Sequence, residues 1–287
     1  MVSKNNKKNL PFPGAQEKPE KGIVSALKKI HGKLKWIDPF TYVDLFLMPK
    51  INPSKNEWIS TGIYLVSAFV FAWLIYTGLG IAFGTSSPMV IVVSGSMEPV
   101  YHRGDVIALF GANTQNIQAQ EASLNLPTLQ NIPFSEFAVP EYSKTSETTA
   151  GFILNKIKFS SGQEIQITKT GSIIVYFSEL SQIPIIHRAV AKIHVQDGDY
   201  ILTKGDSVNN PTIDQDCGKV STTTNGNTVY VETEKPCITL YPVKISSLQG
   251  ISALQIPAIG CAKLWLFDDL FSLIAKGKLP PDFKGIC

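Results

Sequence analysis

The residues WISTGIYLVSAFVFAWLIYTGLGIAFG, numbers 58–84, decide how the rest of the chain is organised. These 27 residues carry no charged side chain, and a helix of about 20 residues already crosses the hydrocarbon layer of a membrane. The segment starts too far from the N-terminus for a cleaved signal peptide, and it is too long and too apolar on all faces for a buried core helix. We therefore expect a transmembrane helix over residues 58–84.

The charges of the chain are distributed unevenly around this segment. Residues 1–57 contain eleven lysines and five acidic residues, although the net charge of the whole chain is only +3. Lysines beside a membrane span mark the cytoplasmic side. We expect a basic cytoplasmic region at 1–57, a single-pass anchor in the cell membrane with the lipid bilayer as a partner, and an extracytoplasmic domain at 85–287. Topology explains these lysines better than nucleic-acid binding, which we do not expect.

Short runs of β-branched and alternating residues predominate after the anchor, and Gly, Asn, Asp or Pro separate them. The runs lie at 89–94, 105–110, 164–168, 172–177, 184–195, 200–204 and 228–233. They predict a mainly β fold for the extracytoplasmic domain. Residues 111–170 are rich in polar side chains with little clear periodicity, and we interpret them as an insertion of unknown role.

Four cysteines are present, and none has the close spacing of a zinc site. Cys217 and Cys237 flank a polar segment with Asn225-Gly226 near its middle, which favours a hairpin. The hairpin would bring the two thiols together, so both a disulfide and two unpaired thiols remain open. We expect no metal and no cofactor.

The stretch SGSMEP at 94–99 ends the strand-like run 89–94. If the strand continues, the hydroxyls of Ser94 and Ser96 point to the same face, and Gly95 lets another backbone approach. One serine could then attack a carbonyl while the other stabilises the developing oxyanion. A plain polar turn after a strand is the alternative.

A serine nucleophile needs a nearby base, and the chain offers four histidines. His31 precedes the anchor, and His102 lies in a turn close to Ser96. The better candidates are His187 and His194, which lie within one apolar run.

Asp197-Gly198 predicts a hairpin turn after this run. With that turn centre, Val195 lies opposite Tyr200 and His187 opposite Val208. His187 then meets a loop that carries three acidic residues, namely Asp206, Asp214 and Asp216. An acid beside a histidine fixes its tautomer, whereas His194 would pair near Ile201, away from these acids.

Four motifs in this order resemble the archaeal and endoplasmic-reticulum branch of type I signal peptidases. They are SGSMEP (94–99), YHRGDVI (101–107), IIHRAVA (185–191) and TKGD with NNPTID (203–214). The resemblance implies that Ser96 is the nucleophile, Ser94 the oxyanion donor and His187 the general base. It also implies functional acids at Asp214 and Asp206. The spacing between these two acids is longer than the resemblance leads us to expect, so Asp216 remains a rival.

The resemblance implies a membrane-bound serine endopeptidase that cleaves signal peptides from exported preproteins, with preproteins and the translocation machinery as partners. We expect the substrate to add as a strand to residues 89–94 and to 172–187. Two alternatives remain open. One is a membrane-tethered β-domain that binds partners through a non-catalytic site, and the other is a processing peptidase for another precursor class.

Overall fold

The structure, a computed structural model, describes residues 38–148, 150–217, 220–225, 228–232 and 237–278. The chain divides into two compact units, Met1–Ile75 and Tyr76–Cys287, and each is described by itself. The boundary between them falls within the longest helix.

The helices within the described residues are α1 Pro39–Tyr42, α2 Met48–Ile51, α3 Glu57–Phe83, α4 Phe134–Phe137, α5 Cys261–Lys263 and α6 Phe271–Lys276. The same residues also form π-helical segments at Val43–Leu47 and Leu264–Leu270 and a 3₁₀ turn at Ile245–Ser247. In the first unit, the Asn52 side chain accepts from Asn56 N (2.9 Å) and donates to Ser60 Oγ (2.9 Å), so it connects the end of α2 to the start of α3. By length and composition, α3 is able to cross a membrane.

The described residues of the second unit form thirteen strands: β1 Met89–Ile91, β2 Val106–Phe110, β3 Gln120–Ser123, β4 Ala138–Lys144, β5 Phe152–Phe159, β6 Glu164–Gln166, β7 Ile173–Ser178, β8 Ile183–Val195, β9 Gly198–Lys204, β10 Val220–Asn225, β11 Thr228–Glu232, β12 Val243–Lys244 and β13 Gly250–Ile256. The first sheet has eight strands in the order β1-β2-β13-β7-β8-β9-β12, with β3 paired parallel to β8. The second has five, in the order β10-β11-β4-β5-β6. A mainly β fold with one N-terminal apolar helix is thereby confirmed.

The expected insertion 111–170 contains strands β3 to β6, although its sequence showed little periodicity. Within β5, buried and more exposed side chains alternate over short stretches. The buried residues are Phe152, Leu154, Ile157 and Phe159, and the residues between them are more exposed. A register shift in the pairing of β4 with β5 interrupts the period and conceals it from the sequence.

The largest hydrophobic core lies between the two sheets. It combines Phe134, Phe137, Tyr142, Phe152 and Ile157 of the insertion with Val190, Ile193, Tyr200, Leu202 and Ile213 of the first sheet and the loop after it. The five-stranded sheet therefore packs against the β8–β9 hairpin, and apolar side chains of both are buried in the same core.

The β8–β9 hairpin forms, but the predicted register was wrong. Val195 pairs with Gly198 rather than Tyr200, so the turn is centred on Gln196 and Asp197. Gly198 has φ +131°, and this backbone conformation favours glycine directly after the turn. A bulge at Val190 then shifts the register once more.

The last β8–β9 pair joins Arg188 to Lys204. His187 therefore lies just beyond the end of β9, and it is not opposite Val208.

A disulfide joins Cys217 to Cys237, with Cα atoms 4.8 Å apart. Between them β10 and β11 pair antiparallel, as the Asn-Gly signal predicts. Residues 226 and 227 of the predicted turn lie outside the described residues.

Candidate active site

Ser96 lies in a loop after β1, because β1 ends at Ile91 and does not continue to Ser94 as the sequence suggested. The neighbouring Met97 is completely buried and packs in a core with Val92 and Ile107. The Ser96 carbonyl accepts a hydrogen bond from Ser207 N at 3.0 Å. Apolar anchoring on one side and a backbone hydrogen bond on the other fix the position of the serine.

His187 meets this serine directly. Its Nε2 atom lies 2.9 Å from Ser96 Oγ. The ring is 1% exposed and lies on β8, opposite Ile174 of β7. A central strand thus delivers a buried imidazole to the serine hydroxyl.

Asp214 is the carboxylate that contacts the imidazole. Its Oδ2 atom lies 2.6 Å from His187 Nδ1. With Nδ1–H donating to this carboxylate, Nε2 of the neutral ring is free to accept the Ser96 proton. The arrangement Ser96–His187–Asp214 can activate a hydroxyl as a nucleophile.

Tyr176 supports Asp214 from inside the sheet. Its hydroxyl donates to the same Oδ2 atom at 3.0 Å, and the Asp214 backbone N donates to Thr203 O at 2.9 Å. Burial, and then the charge of Asp214, hold the pKa of Tyr176 well above its ordinary value. Tyr176 therefore stays protonated as a donor, and it helps to fix the orientation of the carboxylate.

Asp206 has a different neighbour from the one that the predicted register implied. Its two oxygens accept from Arg188 Nε (2.8 Å) and Nη2 (2.6 Å), and Arg188 Nη1 also donates to Gly171 O at 2.5 Å. Both members of this bidentate pair are buried. The ion pair connects the residue after His187 to the loop after β9.

Asp216, the rival acid, accepts a hydrogen bond from the Tyr142 hydroxyl of β4 at 2.6 Å. Burial, and then the charge of Asp216, raise the pKa of Tyr142. On the other side of Asp214, Leu154 N of β5 donates to Pro211 O at 2.9 Å. The insertion thus holds the Asp214 loop at two points.

The predicted pairing of His194 near Ile201 was wrong, because His194 pairs with Asp199. Its Nδ1 atom lies 2.7 Å from Asp199 Oδ1, and its Nε2 atom lies 3.5 Å from Glu121 Oε2. Lys192 also pairs with Glu121 at 2.6 Å. The register shift explains the error, since it places Asp199 directly opposite His194.

Ser94 lies beside Ser96, and its hydroxyl donates to Ser96 Oγ at 3.2 Å. Gly205 completes the close packing around the site. A Cβ atom at Gly205 would lie 2.6 Å from Ser96 O and 3.1 Å from His187 Nε2. Any larger residue there would push the serine loop or the imidazole out of place.

Two cavities border the serine loop. An apolar groove of about 750 Å³ is lined by β1 and the start of β8, among other elements. A second cavity, of about 450 Å³, is lined by polar side chains and includes Ser96 itself. Val93 lines both cavities. Within the described residues, no group of three or more His, Cys, Asp or Glu side chains could hold a metal ion.

The chain is distantly homologous to a signal peptidase catalytic subunit. It is 24% identical over 208 residues to the signal peptidase complex catalytic subunit SEC11 of Saccharomyces cerevisiae strain YJM789. The alignment covers 72% of this chain and 82% of the relative. The same values hold for the SEC11 proteins of strains RM11-1a and JAY291. No protein-family model matches the chain.

Three supporting residues escaped the sequence analysis, namely Tyr142, Tyr176 and Arg188. For Arg188 a signal was present, because a charged residue inside an apolar strand requires a buried partner. The two tyrosines gave no such signal, since Tyr in a strand is ordinary. Only the folded chain brings their hydroxyls to Asp216 and Asp214.

Proposed function

We propose that this protein is a membrane-bound serine endopeptidase that removes signal peptides from exported preproteins. The observation that carries the proposal is the array Ser96–His187–Asp214, with contacts of 2.9 and 2.6 Å. The array borders an apolar groove of the kind that an apolar peptide segment requires. The distant homology to a signal peptidase catalytic subunit supports the same activity.

In the proposed reaction, Ser96 Oγ attacks the carbonyl carbon of the scissile bond while His187 Nε2 accepts its proton. Asp214 stabilises the resulting imidazolium. The Ser94 hydroxyl donates to the oxyanion, as its place beside Ser96 suggests. The C–N bond then breaks, and His187 passes the proton to the leaving amine. Water attacks the acyl-enzyme by the same route and releases the signal peptide.

Asp206 takes part through Arg188 in this scheme. The buried ion pair holds the middle of β8 against the loop that carries Asp214. We therefore assign Asp206 a positioning role and Asp214 the direct role at the imidazole.

The substrate binds as an added strand. β1 is the terminal strand of its sheet, and its outer edge faces the apolar groove. On β8, the segment 183–187 pairs with β7 on one edge, while β9 reaches only to Arg188 on the other. An extended peptide between these two edges would find backbone partners on both sides. The aliphatic lining of the groove suits the small side chains before a signal-peptide cleavage site.

The proposed enzyme is anchored in the cell membrane by α3, with its N-terminal region in the cytoplasm and its catalytic unit outside. Ser96 lies twelve positions after Gly84, and an extended chain of this length reaches at most about 40 Å. The site is therefore within reach of the membrane surface, where preproteins leave the translocation machinery. The lipid bilayer, preproteins and this machinery are the proposed partners.

The test uses the full-length protein purified in detergent and a preprotein with a known cleavage site. We expect one cut at that site, located by N-terminal sequencing of the product. Ser96→Ala should abolish the cut, because the nucleophile is gone. Ser181→Ala, a serine in the loop between β7 and β8, is the matched control and should cut normally. Full activity of Ser96→Ala would refute the serine mechanism.

The same preparation separates the two alternatives. A binding module without catalysis would leave the preprotein intact in both proteins. A peptidase for another precursor class would cut pro-proteins but spare signal peptides. N-terminal sequencing of secreted proteins after depletion of this enzyme would then show intact signal peptides only if the proposal holds.

A further inference from the structure

The two cavities beside the serine loop differ in chemistry. The apolar groove is lined mainly by aliphatic side chains, including Val90, Ile183 and Ile186. The other, which we call the polar cavity, is lined by Ser96, Glu98, Arg103 and Asn210 among others. Because Val93 lines both, an extended chain that passes Ser96 occupies the groove on one side and the polar cavity on the other.

The wall of the polar cavity is held in place by the same contacts that fix the nucleophile. Ser207 N donates to Ser96 O at 3.0 Å, and Asn210 N donates to Ser207 O at 2.9 Å. The Asn210 amide lies against Gly205, where a Cβ atom would be 2.3 Å from Nδ2. The loop after β9 is therefore packed against the serine loop, and the cavity is preformed.

Glu98 places a carboxylate over the backbone of this serine loop. A Cβ atom at Gly95 would lie 3.0 Å from Glu98 Oε1 and 3.4 Å from Oε2. Gly95 separates Ser94 from Ser96, so the negative charge lies next to the nucleophile. Within the described part of the chain, Glu98 has no ion-pair partner.

The chemistry of the proposed substrate decides which side each part of it occupies. The segment before the scissile bond is apolar and suits the groove, whereas the segment after it belongs to a secreted protein and is more polar. Cleavage also leaves an amine on the second segment, and an α-amino group is largely protonated near pH 7 because its ordinary pKa is about 7.7–8.0. A carboxylate on this side attracts such positive charge.

Resting on the proposed function, we propose that the polar cavity binds the first residues after the scissile bond, and that Glu98 makes the enzyme prefer a basic over an acidic side chain there. Glu98 is a specificity-determining residue in this account. It acts on the mature segment of the substrate, while the groove acts on the signal peptide.

The expected preference is moderate because Glu98 is exposed to solvent. Exposed ion pairs are weak, so a substrate with Lys at either of the first two positions after the scissile bond should exceed one with Glu there by about tenfold in kcat/KM, from attraction in one case and repulsion in the other. Salt should compress the ratio, since the Debye length falls from about 10 Å at 0.1 M to about 3 Å at 1 M.

The experiment measures kcat/KM for three peptides that differ only at one position after the cleavage site, with Lys, Gln or Glu. The full-length enzyme, Glu98→Gln and Glu98→Lys are compared, and Glu136→Gln is the control for loss of an exposed carboxylate elsewhere. We expect a Lys-to-Glu ratio near ten for the wild type and Glu136→Gln, near one for Glu98→Gln, and below one for Glu98→Lys. The ratio is independent of how much of each preparation is folded.

An unchanged ratio in Glu98→Gln overturns the inference while the cleavage itself still supports the proposed function. A wild-type preference for Glu also overturns it, because Arg103 would then dominate the cavity. Failure of the wild type to cut any of the three peptides refutes the proposed function, and the inference falls with it. If the variants do not fold, a wild-type ratio that does not fall between 0.1 and 1 M salt overturns the inference.

Discussion

The two sheets of the second unit share one hydrophobic core but have different relations to the site. The eight-stranded sheet and its loops carry Ser96, His187 and Asp214. The five-stranded sheet carries none of these three, yet its strands hold the Asp214 loop through Tyr142 and Leu154. The comparison separates the residues of the proposed catalytic array from the residues that hold them in place.

This difference teaches that residues 111–170 can position the site although they contribute none of the proposed catalytic side chains. A loop such as 205–216 has no strand partners along most of its length, so its position depends on side-chain and cross-sheet contacts. In this chain those contacts come from the Asp206–Arg188 ion pair on one sheet and from the insertion on the other. Four substitutions at increasing distance from the imidazole test this division between the proposed catalytic array and its supporting residues.

Asp214→Asn should give the largest effect of the four substitutions. Asparagine is neutral, so it no longer offers a negatively charged acceptor to His187 Nδ1–H. Both the required tautomer of the imidazole and the imidazolium are then less stable. We expect kcat/KM to fall about 10³- to 10⁴-fold, or about 4–5.5 kcal/mol of transition-state stabilisation. Steady-state kinetics on the preprotein give the value. A fall of less than tenfold would remove Asp214 from the proposed mechanism.

Asp206→Asn should lower the stability of the fold more than it lowers activity. It leaves Arg188 buried without its anionic partner, and breaking a buried ion pair costs about 3–5 kcal/mol. Thermal unfolding followed by circular dichroism should show a clearly lower Tm. Below that Tm the variant should keep more activity than Asp214→Asn. The reverse order of activities would show that Asp206 acts at the imidazole.

Tyr142→Phe tests the contact from the five-stranded sheet. Loss of one hydrogen bond to a charged acceptor should cost about 1.5–3 kcal/mol of stability. Because Asp214 keeps its bonds to His187 and Tyr176, kcat/KM should fall less than tenfold. An unfolding curve in urea measures the loss of stability, and steady-state kinetics measure kcat/KM. A kinetic loss as large as that of Asp214→Asn would show that the insertion controls catalysis directly.

Lys156→Gln, on the exposed face of the five-stranded sheet, should give the smallest effect. Lys156 pairs with Glu141 at 3.2 Å and Glu164 at 2.9 Å, but surface ion pairs contribute little. We expect unchanged kcat/KM and a Tm within about 2 °C of the wild type. A larger change in kcat/KM would mean that the outer face of this sheet contacts the substrate.

Several features of the fold and of the site could be read before any coordinates. The apolar run at 58–84 predicts a helix, and the structure has one at Glu57–Phe83. Asn-Gly and Asp-Gly predict two hairpins, and both form. These signals are local, because they depend on side-chain polarity and backbone preference over a few residues.

The errors about His187 and His194 have a common origin in strand register. Pairing depends on where the turn is centred and on each bulge, and a shift of one residue changes every partner along the strand. The turn before Gly198 and the bulge at Val190 together moved His187 from Val208 to the end of β9. They also placed His194 beside Asp199.

The sequence by itself determined that one apolar helix precedes a mainly β domain, and it offered Ser96, His187 and three acids as candidates. Only the tertiary structure decided that Asp214 contacts the imidazole, that Asp206 pairs with Arg188 and that Asp216 faces Tyr142. The physical reason is that residue type and local pattern are written along the chain, whereas contacts between distant residues depend on packing. A bulge, a shared core and a glycine that admits close approach decide those contacts.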